Sequence, residues 1–255
     1  MTEHQYDESK IKTLSSLEHI RKRPGMYIGR LGDGSHPDDG IYILLKEILD
    51  NAVDEFIMGH GKRVDIHVGD DGLCRVRDYG RGIPLGKVVE CVSVINTGAK
   101  YNTEVFQFSV GLNGVGTKAV NALSARFTVT AFRDGRYKTA VFAQGVLQSE
   151  EEGETKEKNG TLVEFLPDGE SFAQYRYDPQ YVEQRLWRYA YLNAGLSLYL
   201  DGTLFFSKNG LLDLLDREVS SERIYPPVHF ADKALEFAFT HTDDYGESYF
   251  SFVNG

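Results

Sequence analysis

The segment from Ile41 to Gly59 constrains the fold more than any other part of the chain, because its apolar residues recur at helical spacing over about five turns. These apolar positions are Ile41, Leu44, Leu45, Ile48, Leu49, Ala52, Val53 and Phe56. Gly59 and Gly61 end the pattern, as glycines often do at the end of a helix. The segment therefore predicts a long amphipathic helix with one side packed against the core.

Short strands and helices are interspersed along the rest of the chain. Alternation of apolar and polar residues predicts a hairpin at 196–206 and strands at 64–68, 73–78, 127–132, 137–143, 161–165, 235–240 and 248–253. Helical spacing predicts helices at 15–23, 88–95, 115–123, 179–194 and 211–216. The charged stretch 150–159 is predicted to be a loop. This order favours an α+β fold, a two-layer α/β sandwich with helices on one face of a mixed, mostly antiparallel sheet, over a doubly wound fold.

Charge and composition exclude several classes of protein. The formal net charge is −10, and an acidic surface repels phosphate backbones, so this segment alone is a poor DNA binder. No apolar run approaches the length of a membrane span, and the N-terminus has no secretory signal. Cys74 and Cys91 do not make a disulfide framework. We expect two reduced thiols in a cytoplasmic protein.

The polar side of the first predicted helix carries an unusual set of side chains. Glu47, Asn51 and Asp54 follow one another at spacings of four and three residues, which places them on one stripe. Asp50 and Glu55 flank that stripe. A solvated face is one interpretation of such a stripe, and a ligand-binding or catalytic site is the other.

The sequence DYGRGIP at residues 78–84 follows the second predicted strand. Its two glycines let the backbone approach a planar ligand closely. A buried carboxylate at Asp78 would need a hydrogen-bond donor, and an exocyclic amine would serve. Ile83 and Pro84 could supply an apolar wall. The motif alone is weak, because it also describes many turns.

A glycine-rich run at residues 111–116 leads into the predicted helix 115–123. Its spacing is not the Rossmann fingerprint, and no Walker motif occurs. A nest of backbone N–H groups before a helix N-terminus favours a phosphate chain, to which Lys100 could add a positive charge. A mobile loop is the alternative interpretation. Further on, Thr161 follows Gly160 and offers a hydroxyl to a ligand, directly or through water.

Together and in this order, the four motifs resemble an ATPase family. They are a helix with Glu-x-x-x-Asn, a strand ending in Asp-x-Gly-x-Gly, a glycine-rich run and a Gly-Thr strand. The family includes gyrase, the 90-kilodalton heat-shock chaperone, histidine kinases and MutL-type repair proteins. The resemblance implies an ATP site on a left-handed, layered α/β fold, the GHKL or Bergerat ATPase fold, rather than a P-loop.

Longer stretches narrow the resemblance to one branch. RKRPGMYIG at 21–29 and DNAVDE at 50–55 are similar to signatures of bacterial type II DNA topoisomerase ATPase domains. GLNGVG at 111–116, followed by AVNALS at 119–124, is similar to a third signature of that branch.

The resemblance also implies a domain organisation. We expect one ATPase domain over residues 1–255, with a dimer-exchange arm at 1–12 and an ATP lid at 96–117. Because the chain stops directly after a predicted strand, we expect a piece of a longer protein. The transducer domain, which supplies a lysine to the γ-phosphate in this family, is then expected outside it, and the piece should bind ATP but hydrolyse it weakly.

The resemblance assigns the central roles by position. Glu47 is expected to be the general base that deprotonates the attacking water. Asn51 is expected to be the magnesium ligand, since magnesium takes few protein ligands and completes its shell with phosphate and water oxygens. Asp78 is expected to accept a hydrogen bond from the adenine amino group, with Thr161 helping through water.

Further assignments concern the rim of the site. Arg81 is expected to cover one face of the pocket and to pair with Glu55. Tyr6 resembles the tyrosine that reaches from the arm into the nucleotide site of a second copy, and Lys100 is expected near the phosphates. The other predicted nucleotide contacts are Gly82, Ile83, Pro84, Gly111, Leu112, Asn113, Gly114, Val115, Gly116 and Thr117.

The sequence departs from the family pattern at several positions. Asn113 and Tyr79 replace a common His and a common Asp, and Phe106 stands where a Tyr is frequent. Ile43 stands where many members have a His one turn before the base, so another group must orient Glu47 if that His does so elsewhere. These differences favour the topoisomerase IV branch over gyrase.

The implied ligands are ATP and Mg²⁺, with small-molecule inhibitors that compete with ATP. The implied partners are a second copy of the chain, a topoisomerase A subunit and DNA in the full-length protein, and no membrane. A MutL-type repair ATPase is one alternative, although it has no reason to carry RKRPGMYIG. A non-hydrolysing nucleotide-binding module, as in histidine kinases, would lack Glu47. A plain structural domain is a further alternative, and unchanged affinity for ATP with magnesium in an Asp78→Asn variant would favour it.

Overall fold

The computed structural model describes residues 13–97, 114–232 and 235–253. Its main element is an eight-stranded sheet. The strands are β1 (Arg63–Val68), β2 (Cys74–Asp78), β3 (Ser124–Arg133), β4 (Arg136–Ala143), β5 (Val146–Glu154), β6 (Gly160–Pro167), β7 (Ser197–Leu200) and β8 (Thr203–Phe206). Their order across the sheet is β5-β4-β3-β6-β2-β1-β7-β8. Every neighbouring pair is antiparallel except β1 and β7, which are parallel.

The helices follow the predicted positions closely, except for the short α2, which the sequence did not predict. They are α1 (Ser16–Lys22), α2 (Gly25–Ile28), α3 (Gly40–Ile57), α4 (Val88–Ser93), α5 (Gly116–Ala122), α6 (Pro179–Leu192) and α7 (Leu211–Glu218). A capping box starts α1, because the Ser15 hydroxyl accepts from Glu18 N while the Glu18 carboxylate accepts from Ser15 N. Within the described stretches, no helix has the length and apolar character needed to cross a membrane.

The core lies between α3 and one face of the sheet. The apolar side of α3 is buried and packs on β2, β6 and α5. Val64 and Ile66 of β1 are buried, Asp65 between them is partly exposed, and Arg63 and His67 on either side are exposed. This alternation gives the sheet one covered and one open face in this region. The predicted two-layer α+β fold with a mixed, mostly antiparallel sheet is confirmed.

Two of the predictions for the strands are wrong. Residues 150–159 were expected to form a loop. This is confirmed for 155–159, but β5 extends to Glu154 and pairs with β4 along its length. Its carboxylates are held across the pair, with Lys138 Nζ 2.6 Å from Glu150 Oε2 and Tyr137 Oη 2.6 Å from Glu151 Oε1. Charged side chains are common on an edge strand, whose two faces are both wet, so the apolar alternation is missing.

The second error concerns the end of the chain. A strand was expected at 248–253, yet these residues form none. A separate two-stranded sheet precedes them instead, made of β9 (Val228–Ala231) and β10 (Glu236–Phe239). A strand needs a hydrogen-bonded neighbour, and the apolar alternation of 248–253 finds none in the described residues.

The two cysteines are free thiols, as expected. Cys74 is fully buried, and this burial raises the pKa of its thiol to about 12. A thiol held neutral in this way is a poor nucleophile, so Cys74 acts as a small apolar core residue.

Candidate functional site

Glu47 and Gly116 are in close contact, which joins α3 to the start of α5. A methyl group on Gly116 would lie 1.6 Å from Glu47 Oε2 and 2.4 Å from its carboxyl carbon. Such distances are far below van der Waals contact, so only glycine leaves room for the carboxylate there. Glycine at the first residue of α5 therefore admits the carboxylate of Glu47 to the amino end of that helix.

Asn51 lies one turn further along α3 and also reaches α5. Its Nδ2 donates to Glu47 O at 2.8 Å and to Thr117 Oγ1 at 2.9 Å. These two bonds use both N–H groups of the amide and fix its orientation, so Oδ1 is the atom with the chemistry of a hard-metal ligand. The structure thus brings together four residues of the predicted phosphate end: Glu47, Asn51, Gly116 and Thr117.

Asp78 ends β2 and is buried, with 8% of its surface exposed. Its carboxylate accepts from Gly80 N at 2.8 Å and from Thr161 N at 3.2 Å. Burial raises the pKa of Asp78 to about 6, and the nearby charge of Glu55 adds to the effect. An ionised carboxylate has about four lone-pair sites, so Asp78 retains capacity for a further donor.

Glu55 and Arg81 form the expected pair. Arg81 donates from Nη2 to Glu55 Oε1 at 2.8 Å, and from its main-chain N to Oε2 at 2.8 Å. Burial would raise the pKa of Glu55, but the hydrogen bonds from Arg81 hold it below its usual value. Since Glu55 lies eight residues after Glu47 on α3, the helix extends about 12 Å between the two carboxylates.

Gly82 continues the loop after β2 with a φ of +75°. A methyl group there would lie 2.4 Å from the carbonyl oxygen of Phe132 and 3.0 Å from that of Gly160. The neighbouring Ile83 packs against the core, and Pro84 is exposed. Glycine is therefore required where this loop lies against the paired ends of β3 and β6.

Gly114 and Val115 lead directly into α5. Gly114 has a φ of +59°, and Val115 packs against the core immediately before the helix begins. The other predicted site residues, Tyr6, Lys100, Gly111, Leu112 and Asn113, lie outside the described residues, as do the arm at 1–12 and most of the predicted lid. Their roles stay predictions.

Arg77 is a residue of the site region that the sequence did not reveal. It is 9% exposed and donates to the carbonyl oxygens of Asp78 and Lys158, the latter at 2.5 Å. Its guanidinium lies 4.7 Å from the ring centre of Tyr79 and 4.5 Å from that of Phe132. A charged residue in an alternating strand predicts exposure, so no local signal marks this one as buried.

A second missed group surrounds Asp50, which is 1% exposed. Its carboxylate accepts from Lys46 Nζ at 2.5 Å and from the hydroxyl of Tyr189 on α6. The sequence placed Asp50 beside the functional stripe of α3. In the structure its carboxylate links α3 to α6 through the hydrogen bond from Tyr189. A buried carboxylate requires hydrogen-bond donors of this kind.

Comparison with known proteins bears on this arrangement. A family profile described as histidine kinase-, DNA gyrase B- and HSP90-like ATPase matches residues 37–170, just over half of the chain. The chain belongs to this ATPase family. The matched range includes α3, β2, α5 and β6, and with them Glu47, Asn51, Asp78, Gly116 and Thr161.

Several individual members of the family are similar over nearly the whole chain. The DNA topoisomerase 4 B subunit of Borreliella burgdorferi is 60% identical over 251 residues, covering 98% of this chain and 42% of the relative. The DNA gyrase B subunit of Helicobacter pylori is 34% identical, covering 98% and 35%. The DNA topoisomerase 4 B subunit of Bacillus subtilis is 36% identical, covering 98% and 40%. The chain therefore spans about two fifths of the length of these relatives.

A solved structure supports the same assignment. The 43K ATPase domain of Thermus thermophilus gyrase B, in complex with an aminocoumarin, matches with a TM-score of 0.71 and 31% identity. The match covers 88% of this chain and 62% of that one. The fold and the family inferred from the motifs are thereby confirmed.

Proposed function

We propose that this chain binds Mg²⁺-ATP along α3 and hydrolyses it, as the ATPase part of the B subunit of a bacterial type II DNA topoisomerase. The adenine would lie at Asp78 and the γ-phosphate at Glu47 and Asn51. One observation carries the proposal: α3 presents Glu47 and Asn51 against the start of α5, and Glu55 beside residues 80–81. The 60% identity to a topoisomerase 4 relative, against 34% to a gyrase, favours the topoisomerase IV branch.

The base end of the pocket recognises adenine through Asp78. Its carboxylate is already oriented by Gly80 N and Thr161 N, so a lone pair can face the amino group of a purine. Thr161 adds a hydroxyl that bonds the ring directly or through water. The Glu55–Arg81 pair and Ile83 border the same end, where Arg81 covers one face of the base.

The phosphate end would hold the metal through Asn51 and the water through Glu47. Asn51 Oδ1 suits magnesium, because both N–H groups of the amide are engaged elsewhere. Bound magnesium supplies charge neutralisation on the phosphates. Glu47 orients the attacking water and takes its proton, and its position against Gly116 keeps it at the start of α5. Positioning of this kind accounts for most of the catalysis in phosphoryl transfer.

Several roles in this proposal fall on residues beyond the described ranges. Residues 111–113, with Gly114, Val115, Gly116 and Thr117, would wrap the triphosphate through backbone N–H groups, and Lys100 would add charge. Tyr6 would reach into the site of a second copy. In the full-length protein we expect a topoisomerase A subunit and DNA as partners, in the cytoplasm, with ATP-driven dimerisation gating strand passage.

The test separates binding from hydrolysis. The chain and its Glu47→Gln variant are titrated with Mg²⁺-ATP, and hydrolysis is followed in single turnover with protein in excess over labelled ATP. The proposal expects binding to be kept within about threefold and the hydrolysis rate to fall at least about 100-fold, the usual range for loss of a general base. Glu183→Gln, which removes an exposed carboxylate on α6, is the matched control and should change neither quantity.

Two results would count against the proposal. Hydrolysis that survives in Glu47→Gln would remove the base assignment. Unmeasurable ATP binding by the unaltered chain would remove the proposed function as a whole.

A further inference from the structure

The end of β2 and the start of β6 form a corner of the sheet that is held together by side-chain hydrogen bonds rather than by backbone pairing of the two strands. Backbone pairing of the two strands ends at the Arg77–Leu162 pair. Beyond that pair, Asp78 and the chain at 158–161 would be free to separate. Two side-chain links hold them together: the Asp78 carboxylate accepts from Thr161 N, and the Arg77 guanidinium donates to Lys158 O.

Arg77 makes its link from both of its terminal nitrogens. Nη1 donates to the carbonyl oxygen of Asp78, and Nη2 donates to that of Lys158. Because a guanidinium is planar and rigid, it fixes the distance between two acceptors more firmly than an ammonium on a flexible stem can. Arg77 therefore sets the spacing between the end of β2 and the turn before β6.

The guanidinium is itself held in place by two aromatic rings. Its central carbon lies over both rings, 4.7 Å from the ring centre of Tyr79 and 4.5 Å from that of Phe132. Tyr79 is in turn fixed by a bond from its hydroxyl to Asp65 Oδ2 at 2.7 Å. Burial lowers the pKa of Arg77, yet an arginine stays charged at any physiological pH, so the cation–π contacts persist.

Gly160 completes the fit of this corner. It has a φ of +135°, and a methyl group on it would lie 2.2 Å from Asp78 O and 2.4 Å from Arg77 Nη1. The backbone of β6 thus approaches both the guanidinium and the end of β2 as closely as an unsubstituted residue permits. Thr161, next in the chain, is the residue whose main-chain N meets the Asp78 carboxylate.

We propose that Arg77 is a positioning residue for base recognition, which sets the distance between Asp78 and Thr161 and so the preference of the site for a purine with an exocyclic amine. The inference rests on the proposed function, because it takes Asp78 as the acceptor for that amine. Successive side chains of a strand point to opposite faces of the sheet, so Arg77 and Arg75 lie on the face opposite to Asp78. Arg77 therefore supports the Asp78 carboxylate from the other face of the sheet.

The experiment compares two nucleotides that differ in one group. Dissociation constants of Mg²⁺-ATP and of Mg²⁺-purine riboside triphosphate, which lacks the amine, are measured for the chain and for Arg77→Gln. The unaltered chain is expected to prefer ATP at least about tenfold, the scale of a hydrogen bond to a charged group. In Arg77→Gln the preference is expected to fall below about threefold, through weaker ATP binding alone.

A matched control and a milder variant accompany this measurement. Arg75→Gln removes the other arginine of β2, which pairs with Glu164 of β6 at 2.7 Å, and should keep the full preference. Arg77→Lys keeps the charge and can reach one carbonyl, so it should give an intermediate preference even if Arg77→Gln does not fold.

The outcomes are distinct. Equal weakening of both nucleotides in the Arg77 variants, with the preference unchanged, would show a merely structural role and overturn the inference. An unaltered chain that binds ATP without any preference would refute the role of Asp78 itself, and one that binds no nucleotide would refute the proposed function.

Discussion

Replacement of Asp78 by Asn should change the pH dependence of stability in a defined way. Burial raises the pKa of Asp78 from 3.8 to about 6. A carboxyl whose pKa is raised on folding binds protons more tightly in the native state. Its contribution to stability is therefore complete below pH 3.8 and is lost as pH rises through about 6. At about 1.4 kcal/mol per pH unit, the loss amounts to about 3 kcal/mol.

The variant isolates this contribution. Asn cannot ionise, so the unfolding free energy of Asp78→Asn minus that of the unaltered chain should rise by about 3 kcal/mol between about pH 4 and pH 8. Titrating groups that do not interact with Asp78 cancel in the difference, and Glu55, which does interact with it, is tested separately. At low pH, where Asp78 is a neutral carboxylic acid, the variant should be the less stable by about 1–3 kcal/mol. The amide offers only one acceptor oxygen to Gly80 N and Thr161 N, whereas both oxygens of the acid can accept.

Urea unfolding followed by circular dichroism at closely spaced pH values gives the required free energies. Glu55→Gln is an informative comparison, because the pKa of Glu55 is lowered from 4.5. The same difference for Glu55→Gln should fall as pH rises towards 4.5 and stay constant above it. A difference for Asp78→Asn that stays flat over the same pH range would refute the assignment of a desolvated carboxyl at this position.

Three further substitutions have expected outcomes. Gly116→Ala should displace the Glu47 carboxylate and slow single-turnover hydrolysis at least about tenfold, while the free energy of unfolding changes by less than about 1 kcal/mol. An unchanged hydrolysis rate would show that the contact between Gly116 and Glu47 does not position the carboxylate. Tyr189→Phe removes a hydrogen-bond donor to buried Asp50, so the free energy of unfolding in urea should fall by about 1–3 kcal/mol. An unchanged urea midpoint would contradict this. Gly160→Ala places a side chain at a φ of +135° and against backbone atoms, so it should lower the free energy of unfolding by at least about 2 kcal/mol. Because 1 kcal/mol shifts the thermal midpoint of a chain of this size by about 2–4 °C, a midpoint within about 2–3 °C of the unaltered chain would contradict this.

Much of the fold could be predicted because most of its elements have one buried face. α3 and β1 each pack against the core with one face only, which produces the apolar stripe of α3 and the alternation of β1. Periodicity alone therefore locates both elements. β5 could not be found in this way. Its side chains from Val146 to Glu152 are exposed, and the partners of its carboxylates come from β4, which sequence spacing does not specify.

The site was predicted where the chemistry is carried by motifs with fixed spacing. Glu47 with Asn51, and Asp78 with the loop that follows it, belong to short segments whose backbone is local. Arg77 and Tyr189 could not be predicted, because their partners lie on other elements and depend on how those elements pack. Strand alternation even misleads for Arg77, since its charge is satisfied by carbonyls and rings instead of water.

The double use of one carboxylate has a consequence for any compound that competes with adenine. Asp78 would bind such a compound with the same oxygens that hold Gly80 and Thr161 in place. A substitution there that removes the acceptor for the compound would also remove an acceptor of Gly80 N or Thr161 N and, in the proposed function, the acceptor that adenine needs. Resistance should therefore arise first at neighbouring positions with fewer structural duties, and the frequency of escape mutants at codon 78 should stay low under selection.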